Sequence, residues 1–165
     1  MAARDYVFCD VWRIPCAIER VWPHIVNAPA YPSWWGMVYD AVEPLNELPP
    51  DQVGSRMRVQ AHGRLPYSIR FVGEVSRVEP PYYLGLQASG DLNGEGLWTL
   101  RSEGDSTHLT FDWRVRADKW VLRVASPILK PLFAWNHIWT MRQGESALIR
   151  LLSERAISPR GSIST

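Results

Sequence analysis

His137 offers the most chemistry in this sequence. At about 100° per residue, Leu129, Phe133, His137, Thr140, Met141, Gly144, Leu148 and Leu151 share one helical face, with Asn136 at its edge. His137 thus stands inside an apolar stripe. An imidazole, with its ordinary pKa of about 6.5, can act there as a general acid or base. The competing reading is a core histidine whose nitrogens are simply paired, as most buried polar groups are. Tyr67 and Tyr83 fall on strands expected to flank the same region. A phenol can donate to a ligand carbonyl or stabilise an enolate, and it can equally make a structural hydrogen bond. His137 and Tyr67 are the candidate catalytic pair. Trp98, Phe111, Trp113, Tyr83, Phe133, Asn136 and Met141 are the candidate ligand-binding residues. Indoles are bulky and carry one N–H, which suits cavity walls as well as core filling.

Other chemistries find no support. The four histidines (His24, His62, His108, His137) show neither His-x-x-x-His nor His-Glu-x-x-His spacing, so no metal site is expected. Gly94-x-Gly96 lies between strands instead of before a helix, which is the wrong place for a phosphate loop. No Gly-x-Ser-x-Gly occurs. Arg70 alternates with Ile69 and Phe71 and is expected outside, as are Asp112, Arg114 and Arg116. Arg142 leaves the long helix away from His137. No cofactor is expected.

The elements that must position these residues follow from periodicity. Asp5 to Ile14 reads as a strand closed by Pro15. Ala17 to Val26 has helical spacing, with Ile18, Val21, Trp22 and Ile25 in one stripe and Pro23 inside it. Asn27 to Trp35, with two prolines, holds a turn or two of helix. A strand is expected over Met37 to Leu45, then a loop over Asn46 to Gly54. Ser55 to Trp120 shows strand patterning throughout, broken at Leu65-Pro66-Tyr67, Pro80-Pro81, Asp91-Leu92-Asn93-Gly94 and Glu103-Gly104-Asp105-Ser106. Short connections make successive strands antiparallel neighbours. Val121 to Arg155 reads as one long helix, bent or restarted at Pro127 and Pro131, on which Trp135 and Trp139 point away from the His137 face and should pack against another element, the short helices being one option. An apolar sheet face needs a cover, and one long helix is available. A curled sheet around that helix leaves a gap near the short helices, where a ligand would go.

Composition narrows the classes further. The chain has 165 residues and a formal net charge of +1, from 18 Lys plus Arg against 17 Asp plus Glu. No basic stripe marks a nucleic-acid partner. Arg56-Met57-Arg58 and Arg114-Val115-Arg116 read as the wet side of strands. Apolar runs stay short of the roughly 18 residues of a membrane span, so no integral membrane contact is expected. Cys9 and Cys16 lie in and just after one extended segment, too far apart to bridge easily. With no signal-peptide pattern, a cytoplasmic location is the default. Nine Trp, six Tyr and four Phe form a heavy aromatic load. Trp34, Trp35 or Trp135, if exposed, would mark a partner surface or a lid. A monomer or weak homodimer is expected.

Several segments carry a family resemblance. These are Tyr6-Val7-Phe8, Trp12-Arg13-Ile14-Pro15, Ile18-Glu19-Arg20-Val21-Trp22 and Tyr31-Pro32-Ser33-Trp34-Trp35 near the start. Gly90, Gly94-Glu95-Gly96-Leu97-Trp98-Thr99-Leu100 and Trp135-Asn136-His137-Ile138-Trp139-Thr140-Met141-Arg142 follow. Together they resemble the START-like (SRPBCC) superfamily, and more narrowly its polyketide cyclase/dehydrase and lipid-transport branch, from about Asp5 to about Arg155. The resemblance implies an α+β helix-grip fold: a curved antiparallel sheet of about seven strands around one C-terminal helix, with two short helices after the first strand. It implies one such domain over residues 1–157, and the Ser, Pro, Gly and Arg of residues 158–165 read as a flexible tail. It also implies an internal cavity for a small hydrophobic ligand, lipid-like or polyketide-like. Some members resemble carriers or sensors, others cyclases, aromatases or dehydratases, and fold alone does not choose between them.

Overall fold

A computed structural model describes residues 5–117 and 126–157, and within the last helix the side chains of 130–155. The expected helix start at 121–125, the side chain of Leu129 and the tail at 158–165 lie outside these described residues.

Strand β1 (Asp5–Ile14) is followed by helix α1 (Ile18–Val26), a single 3₁₀ turn (Ala28–Ala30) and helix α2 (Tyr31–Trp34). Six strands come next: β2 (Tyr39–Pro44), β3 (Arg56–His62), β4 (Ser68–Glu79), β5 (Tyr83–Gly90), β6 (Leu92–Glu103) and β7 (Ser106–Ala117). Helix α3 (Ser126–Ile157) ends the described chain. The strands form one curved antiparallel sheet in the order β1-β7-β6-β5-β4-β3-β2. The strands from β3 to β7 are joined by short connections, as the turn signals imply, while β2 and β3 are joined by the loop over residues 45–55.

Alternation decides what faces the helix. Tyr6, Phe8, Asp10, Trp12 and Ile14 of β1 share a side with Leu109, Phe111, Trp113 and Val115 of β7 through the pairs Tyr6↔Val115, Phe8↔Trp113, Asp10↔Phe111 and Trp12↔Leu109. Helix α1 buries Ile18, Val21, Trp22, Ile25 and Val26, the expected stripe plus one, and leaves Pro23 exposed. Two boundaries differ from the sequence reading. Strand β2 is shorter than Met37 to Leu45, because Val38 and Tyr39 donate their N–H groups to Trp35 O and prolong the α2 turn. The β5–β6 turn closes at Asp91 instead of spanning four residues. Asn93 satisfies both backbone groups of Gly90, so Leu92–Gly94 already pair with β7.

The other element that Trp135 and Trp139 meet is the β3–β4 turn. They flank the Arg64 guanidinium, which lies 5.5 and 5.9 Å from their ring centroids, so they bind α3 to the β3–β4 turn. Trp35 is buried, Trp34 is half-buried and stacked on it, and Trp135 is exposed. Cys9 is exposed and Cys16 buried, and both are free thiols. None of the described helices is long and apolar enough to cross a membrane.

The three layers meet at Gly144. A Cβ there would press into the indole of Trp35 and against that of Trp12. Trp35 cannot swing away, because its Nε1–H donates to Thr140 O at 3.1 Å and its ring packs edge-on to Trp12 at 5.3 Å. Gly144→Ala is therefore expected to destabilise by about 1–3 kcal/mol through overpacking. Thermal unfolding should read this as a melting point lower by roughly 2–4 °C per kcal/mol. An unchanged melting point would mean that the indoles have room to give.

Candidate functional site

The concave side of the sheet and the middle of α3 enclose two adjoining chambers. They share walls at Ala61, Ile69, Leu92, Trp113, His137 and Thr140. The inner chamber, of about 150 Å³, is bounded by Trp98, Phe111, Phe71 and the β4–β5 residues Gly73, Val75, Leu84 and Ala88. The outer chamber, of about 120 Å³, is bounded by Tyr6, Phe8, Tyr67, Phe133 and Asn136. An apolar cavity of about 150 Å³ holds a benzene-sized molecule.

The inner wall is a run of rings. Trp98 stacks on Phe111 at 4.4 Å, and Phe111 lies 5.5 Å from Trp113. Gly96 makes this packing feasible. It faces Trp113 across the β6–β7 pair, and a Cβ at Gly96 would meet the Trp113 ring at 2.6 Å. Gly96 thus gives an indole room to lie over a strand, whereas the bare Cα of Gly94 faces the β7 backbone at Arg114 and Val115. Close by, a Cβ added at the inward Gly73 would meet nothing nearer than the Phe71 ring edge at 4.0 Å, so this position borders open space.

His137 reaches the hollow from the centre of α3 and lines both chambers. Its Nε2 lies 2.6 Å from Asp10 Oδ2, with side-chain exposures of 16% and 15%, and its ring stacks on Phe8 at 3.9 Å. With Asp10 ionised, Nε2–H is the donor, and the neutral ring keeps its lone pair on Nδ1. A carboxylate that fixes the tautomer and offsets an imidazolium charge is the usual support for a general base. Asp10 lies in an otherwise apolar inward file on β1. Its position there was the available sequence signal, and the sequence reading missed it together with Tyr6, Phe8 and Thr140.

Tyr67 lines the outer chamber from the end of the β3–β4 turn, one residue before the strand on which it was expected. Burial pushes its phenol up to about 12, the nearby Tyr6 phenol adds to the rise, and a hydrogen bond from Asn136 opposes it. Asn136 has a second task. Its Oδ1 accepts the backbone N–H groups of Arg64 at 2.7 Å and Leu65 at 3.4 Å, in the space left by the missing side chain of Gly63. It therefore anchors the β3–β4 turn while bordering the chamber. Phe133, Trp98, Phe111 and Trp113 also line the hollow.

Two candidates stand elsewhere. Tyr83 lies on the outer side of β5, because Leu84, Leu86 and Ala88 are the inward residues of that strand; its ring carries the Arg77 guanidinium at 4.4 Å. Met141 is 6% exposed but is not a wall of either chamber. One turn beyond His137, it has entered the packing between layers. Arg70 and Arg142 are exposed, as expected. No cluster of metal-ligating side chains occurs among the described residues.

The buried phenols make alkaline stability informative. Tyr31, Tyr39 and Tyr67 are all raised by burial above the ordinary 10.0. Above pH 10 the unfolded chain gives up these protons while the folded chain keeps them, which favours unfolding. Stability should fall as pH rises from 10 towards 12, and Tyr67→Phe should flatten part of that fall. Urea unfolding midpoints across the alkaline range test this. An identical slope for the variant would show that Tyr67 titrates normally.

No family model and no curated protein matches the chain. Solved structures do match it. A START superfamily protein from Mycobacterium smegmatis is 15% identical, with a TM-score of 0.71 over 90% of this chain and 98% of its own. A conserved protein from Geobacillus kaustophilus is 16% identical, with a TM-score of 0.65 over 88% and 96%. Norcoclaurine synthase from Thalictrum flavum, solved with a transition-state analogue, is 12% identical, with a TM-score of 0.62 over 92% and 96%. With its seven antiparallel strands, short helices after the first strand and long closing helix, this chain has the START-like helix-grip fold.

Proposed function

We propose that the chain binds a small apolar, ring-bearing molecule in the two chambers between the sheet and α3. The observation that carries this reading is the space beside Gly73. A strand interior usually gains from a side chain that packs, yet this inward position opens onto a hollow walled by Trp98, Phe111 and Trp113. Aromatic walls with few polar groups suit a flat apolar ligand. Native mass spectrometry of protein purified from its own host tests the reading directly, since a retained molecule would give its mass.

A substitution at Gly73 sharpens the test. Its backbone is not in the left-handed region, so Gly73→Leu is expected to keep or raise the melting point while filling the inner chamber. Affinity for naphthalene, followed by amide shifts in NMR, should drop at least about tenfold, the equivalent of roughly 1.4 kcal/mol. Unchanged affinity would mean that the molecule sits elsewhere.

A second reading is favoured by the His137–Asp10 pair. In it, neutral His137 removes a proton from a methylene between two carbonyls, and Tyr67 donates to the resulting enolate oxygen, as in cyclase, aromatase or dehydratase chemistry. The hollow folds the chain so that its reacting carbons meet. Incubation with a linear poly-β-ketone thioester mimic should then give a cyclised product, and His137→Ala should slow its formation by about 10²–10⁴-fold. Absence of cyclised product from the unaltered protein would leave the binding role alone.

A further inference from the structure

We propose that the outer chamber recognises an acceptor oxygen on its ligand, a carbonyl or carboxylate at the end of an apolar skeleton, through the hydroxyls of Tyr6 and Tyr67. This rests on the reading that the hollow holds an apolar molecule, and it adds which chemical group that molecule must carry.

Tyr6 supplies the first observation. The residue is 7% exposed, and its hydroxyl is shut off from solvent with no hydrogen-bond partner among the described residues. A buried donor left unsatisfied is costly, and native proteins keep few of them. This one belongs to a residue that lines the outer chamber. Tyr67 supplies the second. The Asn136 Oδ1 already accepts the Arg64 and Leu65 N–H groups, so the Asn136 group left for the Tyr67 oxygen is the Nδ2 amide, a donor. The O–H of Tyr67 is then left to donate. Both phenol rings flank Phe133, at 6.4 Å for Tyr6 and 5.9 Å for Tyr67 between ring centroids. The Lys130 ammonium lies 5.5 Å from the Tyr6 ring centroid. No Asp or Glu is among the residues lining this chamber. Two free donors beside a cation call for an oxygen with lone pairs. A pure hydrocarbon would leave Tyr6 as unsatisfied as it is now.

Amide-shift titrations of the full chain with acetonaphthone, its hydrocarbon isostere isopropenylnaphthalene, and naphthoate test the assignment. Acetonaphthone should bind about tenfold or more tightly than the isostere. The double variant Tyr6→Phe, Tyr67→Phe should erase that preference without weakening the hydrocarbon. Tyr6→Phe alone should raise the melting point of the unliganded protein, since it removes an unmet donor. Naphthoate binding more tightly than the ketone, with the margin lost in Lys130→Gln, would assign a carboxylate; the reverse order would assign a carbonyl. Equal affinity for ketone and hydrocarbon, or a preference that survives the double variant, overturns the assignment and leaves the hydrophobic hollow standing. A lower melting point for Tyr6→Phe overturns it as well, by exposing a partner for the hydroxyl. Binding of none of the three probes removes both this assignment and the reading beneath it.

Discussion

The architecture depends on a steric joint at Gly144. There the backbone of α3 comes close enough to receive one indole from the first strand and another from the turn after α2. The Trp35 N–H on Thr140 O fixes the second indole. Apolar packing alone has no direction, and this hydrogen bond supplies one. Because the helix is held at that point, its preceding turns pass over the sheet at a height set by Trp12 and Trp35. His137 and Thr140 belong to those turns, and they form the roof of the hollow.

Beneath the roof, side-chain size governs what is filled. Gly96 lets Trp113 lie flat, and the stacked Trp98, Phe111 and Trp113 become a wall instead of a plug. Gly73 on the opposite side contributes no volume. Into this apolar setting the chain places one carboxylate, Asp10, and pairs it with His137. Burying both partners costs solvation that their attraction only partly offsets, and hydrophobic residues of equal volume would often serve stability as well or better. Stability alone therefore does not account for the pair.

Much of this was legible in the sequence because two periods dominate it. Alternation over Met57–Ala61, Ile69–Val75 and Phe111–Val115 marked the inward side of the sheet, and the spacing Phe133, His137, Gly144, Leu148 marked the inward side of α3. The site was less legible wherever pairing outweighed pattern. Tyr83 resembled a cavity flank by residue type, although the alternation of Leu84, Leu86 and Ala88 sends it outward. Met141 shares a helical face with His137, but one turn along the axis carries it from the hollow into the layer contact. Asp10 was passed over because a single strand does not reveal the histidine that answers it from 127 residues away. Trp135 and Trp139 went to Arg64, a partner on a turn whose place relative to α3 only the folded sheet defines.

The strand order bears on how the chain reaches this state. Hairpins between consecutive strands assemble β2 to β7, whereas β1 finds its one neighbour in β7, with Asp5 opposite Arg116 and Ile14 opposite Thr107. Bringing together segments so distant in sequence carries a larger loss of chain freedom than any of the hairpins. During synthesis the N-terminal segment emerges first, yet it must wait for the last strand before its backbone groups are satisfied. Asp10 and Trp12 travel on that segment, so the carboxylate reaches its histidine only when the sheet is otherwise complete.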